Sequence, residues 1–104
     1  MPGIDFSSVR DQVSLAQVLH LLNYVPTRKF ADQLRGPCPV HGSRKPRSRS
    51  FSANVAKNAY RCFKCGSAGN QLDLWMAVHD VSVYRAAVDL CERLGVQIPW
   101  TGTR

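Results

Sequence analysis

Cys38-Pro39-Val40-His41 and Cys62-Phe63-Lys64-Cys65 repeat one spacing: two ligand-type residues separated by two others, with twenty residues between the pairs. Zinc takes four sulfur or nitrogen donors at the corners of a tetrahedron, and two turns carrying two donors each can supply them all. A glycine follows each pair, Gly42 and Gly66. A residue free to take positive φ lets the chain curl so that backbone N–H groups can point at sulfur. Pro39 stiffens the first turn. The pattern predicts a zinc ribbon in which two β-turns hold one structural zinc through Cys38, His41, Cys62 and Cys65.

Other readings of these cysteines fit less well. A disulfide pairing requires an oxidising compartment, and the opening stretch MPGIDFSSVRDQ has neither the basic nor the apolar region of a secretory signal. A redox Cys-x-x-Cys needs a strand before it and a helix directly after, and has no use for a second Cys-x-x-His. With four protein donors no coordination position is left for water, so hydrolytic zinc chemistry is not expected. Cys91 lies beside Leu90 and Leu94 on an apolar helix face and reads as a small buried hydrophobe.

A chain of 104 residues is expected to form a single domain, residues 1–104, with a small core. Structural zinc contributes on the order of 10–16 kcal/mol of apparent binding energy in small peptides at neutral pH. A few short strands cannot match that by burial, so the ribbon is expected to fold only with metal.

Residues 4–23 read as one or two helices. Ser14 and Gln17 form a capping box, Val13 and Val18 a hydrophobic staple, and Leu15, Val18, Leu19 and Leu22 a core face, with His20 left in solvent. Residues 33–66 form the ribbon, with QLRGP, SFSANV and AYRCF as strands, a turn over Asn54 to Asn58, and a loop over 43–50. Phe51 and Tyr60 alternate along strands and are expected in the core. Residues 70–95 hold two helices. Asn70 with Asp73 caps the first, and Leu72, Trp75, Met76 and His79 share a face. Ser82 opens the second, Gly95 ends it, and Val83, Ala87, Leu90, Cys91 and Leu94 point inward. The expected class is α+β: a small antiparallel ribbon with two knuckles, flanked by N-terminal helices and two C-terminal helices.

The net charge of +7 is concentrated. Arg35, Arg44, Lys45, Arg47, Arg49, Lys57, Arg61 and Lys64 lie between Asp32 and Asp73 with no acid among them, while the rest of the chain is close to neutral. Such a local field favours a polyanion partner, nucleic acid above all. Arg44, Lys45, Arg47 and Arg49 occupy the loop after the first knuckle, and Arg61 and Lys64 bracket the second. Phe63, held between ligands, cannot easily turn inward and is the candidate for base stacking. No paired carboxylates and no nucleophile–base set suggest an enzyme. No apolar run is long enough for a membrane span, and a cytoplasmic setting is expected.

These residues resemble the N-terminal zinc-binding domain of bacterial DnaG-type DNA primases. The likeness runs through Cys38-Pro39-Val40-His41, Ser50-Phe51, Tyr60-Arg61-Cys62-Phe63-Lys64-Cys65-Gly66, Gly69-Asn70 and Leu74 to Met76, and covers about Ile4 to Trp100. The resemblance implies a zinc ribbon that binds single-stranded template and helps choose where an RNA primer starts. In that family a separate Toprim-type domain does the polymerisation, and its acidic cluster has no counterpart here. A non-catalytic module is therefore expected, working with a separate catalytic subunit or a helicase. The loop GSRKPRSRS departs from the family pattern: it is longer, lacks a glutamate and is rich in arginine, which should strengthen its hold on phosphates. A different role, as a protein adaptor or a DNA-binding accessory of a mobile element, would use the ribbon as scaffold, an adaptor docking its partner through Trp75 and Met76.

Overall fold

The computed structural model describes residues 3–41 and 50–101. Gly42, Arg44, Lys45, Arg47 and Arg49 lie outside the described residues. In chain order the elements are β1 (Gly3–Ile4), α1 (Phe6–Gln12), α2 (Leu15–Leu21), β2 (Arg28–Phe30), β3 (Gln33–Gly36), β4 (Phe51–Asn54), β5 (Ala59–Cys62), β6 (Ala68–Gly69), α3 (Gln71–His79), α4 (Val83–Leu94) and β7 (Trp100–Thr101). The class is α+β, as expected.

Local chemistry starts each helix. The Asp5 carboxylate accepts from the Ser8 N–H to open α1. Ser14 and Gln17 exchange both bonds of the capping box at α2, and Asn70 and Asp73 do the same at α3. Ser82 accepts from the Arg85 N–H at the start of α4, and Gly95 ends that helix in the left-handed region.

Strands β2-β3-β4-β5-β6 form one antiparallel sheet in that spatial order, and β1 pairs separately with β7 through Ile4 opposite Trp100. Because facing residues in a ladder share a side, the register puts Leu34, Ala53 and Tyr60 on one face and Arg35, Ser52 and Arg61 on the other. The first face is the inner one. Phe51 and Ala53 are fully buried there, and Phe51 packs between the rings of Tyr24 and Tyr60 at centroid distances of 5.2 and 5.7 Å. Val9, Val13, Leu15 and Val18 join Leu72, Leu74 and Trp75 of α3 and Ala86, Ala87, Leu90 and Cys91 of α4 to complete the core.

Three expectations change. Trp75 is buried, its ring 4.2 Å from that of His79 and 5.3 Å from the Arg93 guanidinium carbon, and Met76 is half-buried. Of the two residues expected to dock an adaptor partner, Trp75 is therefore covered by the molecule itself. Val83 does not point inward; it sits a turn ahead of the buried Ala86–Ala87 pair and is exposed, while Ala86 takes an inner position. The ribbon is also wider than 33–66, because β2 and β6 add an edge on each side. Among the described residues no helix is long and apolar enough to cross a membrane.

Candidate metal centre and nucleic-acid interface

The first knuckle leaves β3 at Gly36. A Cβ there would lie 2.6 Å from the Tyr24 hydroxyl and 2.9 Å from the Thr27 nitrogen, so only glycine lets the chain pass this close. Cys38 and His41 follow. The second knuckle leaves β5 at Cys62, whose N–H donates to the Ser67 carbonyl at 2.8 Å while the Gly66 N–H donates to the Cys62 carbonyl at 3.0 Å. Gly66 takes φ +79°, which closes the turn without a side-chain clash.

The two turns bring their donors together. The ligand atoms of Cys38, His41, Cys62 and Cys65 all lie within 4.8 Å of one another. Cys38 Sγ is 3.9 Å from Cys65 Sγ, and Cys62 Sγ is 3.7 Å from His41 Nδ1. A zinc–sulfur bond of about 2.3 Å gives a tetrahedron with edges of roughly 3.8 Å. The spacing and the donor set both fit one structural zinc.

The backbone supports the sulfurs. The Val40 N–H donates to Cys38 Sγ at 3.3 Å and the Cys65 N–H to Cys62 Sγ at 3.4 Å. These donors come from inside each knuckle, and the glycine N–H of the second goes to a carbonyl instead. Without metal the two buried thiols diverge. Burial pushes Cys38 up to about 12, with the N–H groups of His41 and Val40 offsetting only part of that. At Cys62 burial again opposes ionisation, but hydrogen bonds from the backbone of Cys65 and Lys64 and from the thiols of Cys65 and Cys38 prevail, giving about 6. Burial thus favours the protonated form of Cys38, while the donors around Cys62 favour its thiolate.

The outer face of the sheet begins beside this centre. Phe63 is 60% exposed, so its ring is open to solvent as expected. The guanidinium carbons of Arg35 and Arg61 lie 5.3 and 5.2 Å from its centroid. Arg35 and Arg61 stand in one cross-strand row with Ser52 between them. A shallow trough of about 220 Å³ runs alongside, lined by Gln33, Ser52, Asn54, Arg61 and Phe63. Lys64 is exposed next to the ring. Charge counting puts Arg35 in the acid-free segment but not beside Phe63. That placement follows from the β3–β4–β5 register, which sets a residue 26 positions earlier on the same row as Arg61.

Two knuckles at the end of an antiparallel sheet, with three cysteines and one histidine as donors, define a zinc ribbon of the zinc-finger class. The CHC2 zinc finger family matches residues 3–104, and the chain belongs to this family of DnaG-type primase domains. It is 31% identical over 91 residues to the DNA primase of Treponema pallidum, covering 88% of this chain and 14% of that protein. It is 29% identical over 104 residues to the DNA primase of Mycolicibacterium smegmatis, covering 99% of this chain and 16% of that protein. The fold matches a crystal structure of the Aquifex aeolicus primase, comprising zinc-binding and RNA polymerase domains, with a TM-score of 0.71 and 26% identity. That match covers 91% of this chain and 22% of the other. The chain thus spans about a sixth of the length of its curated relatives.

Proposed function

We propose that this chain is the DNA-binding module of a primase system, a single domain that holds single-stranded template during primer initiation and leaves catalysis to a polymerase domain. The observation that carries the reading is the Arg35–Phe63–Arg61 group: a largely exposed ring with two guanidinium groups in cation–π contact with it on the outer sheet face. Stacking on an aromatic ring accepts any base, and flanking cations serve the phosphates on either side. Duplex DNA keeps its bases stacked inside, so an open ring on a flat sheet favours single strands. Lys64, and the loop residues Arg44, Lys45, Arg47 and Arg49, would extend the cationic track beyond the sheet.

Four protein donors leave the zinc no open position, which supports a structural rather than catalytic ion. The region shared with the primase relatives is a small part of their length, which supports a module acting beside a catalytic unit, on the same chain or another. A replicative helicase is a further candidate partner. Reduced zinc-binding thiols suit a cytoplasmic setting.

Fluorescence anisotropy of a labelled single-stranded oligonucleotide against zinc-loaded protein tests this reading. Log affinity should fall against log salt with a slope of about −0.7 per phosphate, near −4 for about six contacts. Duplex competitor should displace the strand poorly. A folded, zinc-loaded protein that fails to bind at low salt would sink the proposal.

A further inference from the structure

Phe30 is the most exposed large hydrophobic residue among those described, at 81%. It stands at the end of the edge strand β2, opposite Gln33, and Arg28 stands opposite Arg35. Facing residues share a side, so the register carries two rows across the outer face. One row runs Arg28, Arg35, Ser52, Arg61; the other runs Phe30, Gln33, Asn54, Ala59. A second observation fixes the side. Lys29, the residue between Arg28 and Phe30, lines a hollow on the inner face with Leu19, Leu34 and Val55. Successive residues of a strand point to opposite faces, so Arg28 and Phe30 face outward with Arg35 and Arg61.

The outer face therefore has an open ring near each end. Phe63 marks the zinc end, Phe30 marks the far edge, and the trough lined by Gln33, Ser52 and Asn54 lies between. Arg28, Arg35 and Arg61 run along the same surface. A hydrophobic ring on an edge strand is normally a liability for association, and here nothing among the described residues covers it.

We infer that Phe30 is a second base-stacking position, so that a single strand crosses the sheet from Phe63 to Phe30 over the Arg61–Ser52–Arg35–Arg28 row. This rests on the nucleic-acid reading above. Three inter-strand spacings, about 14 Å, separate the strands that carry the two rings, and Phe63 stands four residues along from the row of Phe30, about 13 Å, so the rings lie about 19 Å apart. Stacked nucleotides rise by about 3.4 Å each along a strand, so roughly six steps bridge the rings, fewer if the bases splay. The flanking arginines meet the phosphates, and the polar floor meets the intervening base edges. The site then measures strand length: an oligonucleotide too short to reach both rings uses only one.

The test is a length series of labelled oligothymidylates, dinucleotide to decanucleotide, against the zinc-loaded protein and its Phe30→Ala, Phe30→Trp and Phe63→Ala variants. Zinc content and circular dichroism check each fold. Phe30→Ala should weaken the longer oligonucleotides by about 5- to 150-fold, the worth of one stacked base, and leave the dinucleotide unchanged. Phe30→Trp, which keeps a ring, should bind like the parent. Phe63→Ala should weaken every length. If Phe30→Ala matches the parent at all lengths, or weakens the dinucleotide as much as the decanucleotide, the second position is overturned while the nucleic-acid reading stands. If the parent protein binds none of the series, the nucleic-acid reading itself is overturned.

Discussion

The side-chain oxygen of Asn58 accepts a hydrogen bond from the Leu15 N–H at 2.8 Å, joining the β4–β5 turn to the first residue of α2 across 43 positions. Ser14 caps a different donor, the Gln17 N–H, so the Leu15 N–H depends on Asn58. Asn58 also takes φ 52°, a left-handed conformation that asparagine tolerates better than most residues. One residue thus closes the hairpin and fastens the helical layer to the ribbon.

Replacing Asn58 separates these two roles. Asn58→Gly keeps the backbone conformation and loses the cap, at a cost of about 1 kcal/mol. Asn58→Ala loses both, so its cost should rise to roughly 2–3 kcal/mol. Urea unfolding of the zinc-loaded protein measures the difference. Equal costs for the two variants would mean that the backbone conformation contributes nothing.

Gln71 makes a similar tie in the core. It is 2% exposed, and its amide nitrogen donates to the carbonyls of Arg10 and Val13 at 3.0 and 2.8 Å. Those carbonyls belong to the end of α1, which has no helical partner for them. Gln71→Leu fills the same space but leaves the buried Val13 carbonyl unpaired, so we expect a loss of about 1–3 kcal/mol. Gln71→Glu should be worse at neutral pH, because a buried carboxylate would face two carbonyl oxygens, and should recover on acidification. A pH-independent cost for Gln71→Glu would contradict this account.

Zinc affinity should depend on pH with a definite sign. Binding must remove the Cys38 proton, since burial holds that thiol up to about 12 without metal, whereas Cys62, at about 6, is already largely ionised at neutral pH. Each proton displaced raises apparent affinity about tenfold per pH unit. Competition against a colorimetric zinc indicator should therefore show at least a tenfold gain per unit between pH 6 and about 8. Chelation should unfold the ribbon, visible as loss of strand signal in circular dichroism, because the four donors are what hold the two knuckles together. An affinity that is flat with pH would argue against a protonated Cys38.

The arginines should matter for binding without mattering for the fold. Arg35→Ser with Arg61→Ser removes both guanidinium groups that flank Phe63. Isothermal titration with single-stranded DNA should show a shallower salt slope, by about 1.4 for two lost phosphate contacts. Zinc stoichiometry should stay unchanged. A salt slope equal to the parent's would remove these residues from the interface.

Much of this architecture is legible in local chemistry. The ligand spacing, the capping pairs at Ser14, Asn70 and Ser82, and the strands at 33–36, 51–54 and 59–62 all carry signals within a few residues. The open ring of Phe63 follows from its place between two ligands. What local patterns do not carry is register and long-range closure. Strands β1, β6 and β7 are two residues each, too short for an alternation to show, and they exist because a distant partner completes them. Trp75 has the helical spacing of a possible docking face, yet Arg93 and His79 close over it from α4 and from its own helix. Arg35 reaches the candidate site only through β4, which sets it level with Arg61.

The central claim is that single-stranded DNA meets this ribbon on the face that carries Arg35, Arg61 and Phe63. Titrating isotope-labelled, zinc-loaded protein with a short oligothymidylate and following it by NMR tests that claim most directly. Upfield ring shifts at Phe63, with further shifts at Arg35, Ser52 and Arg61 and little change in α4, are the predicted result. Shifts confined to the helical face, or absent throughout the outer face at saturating oligonucleotide, would contradict it.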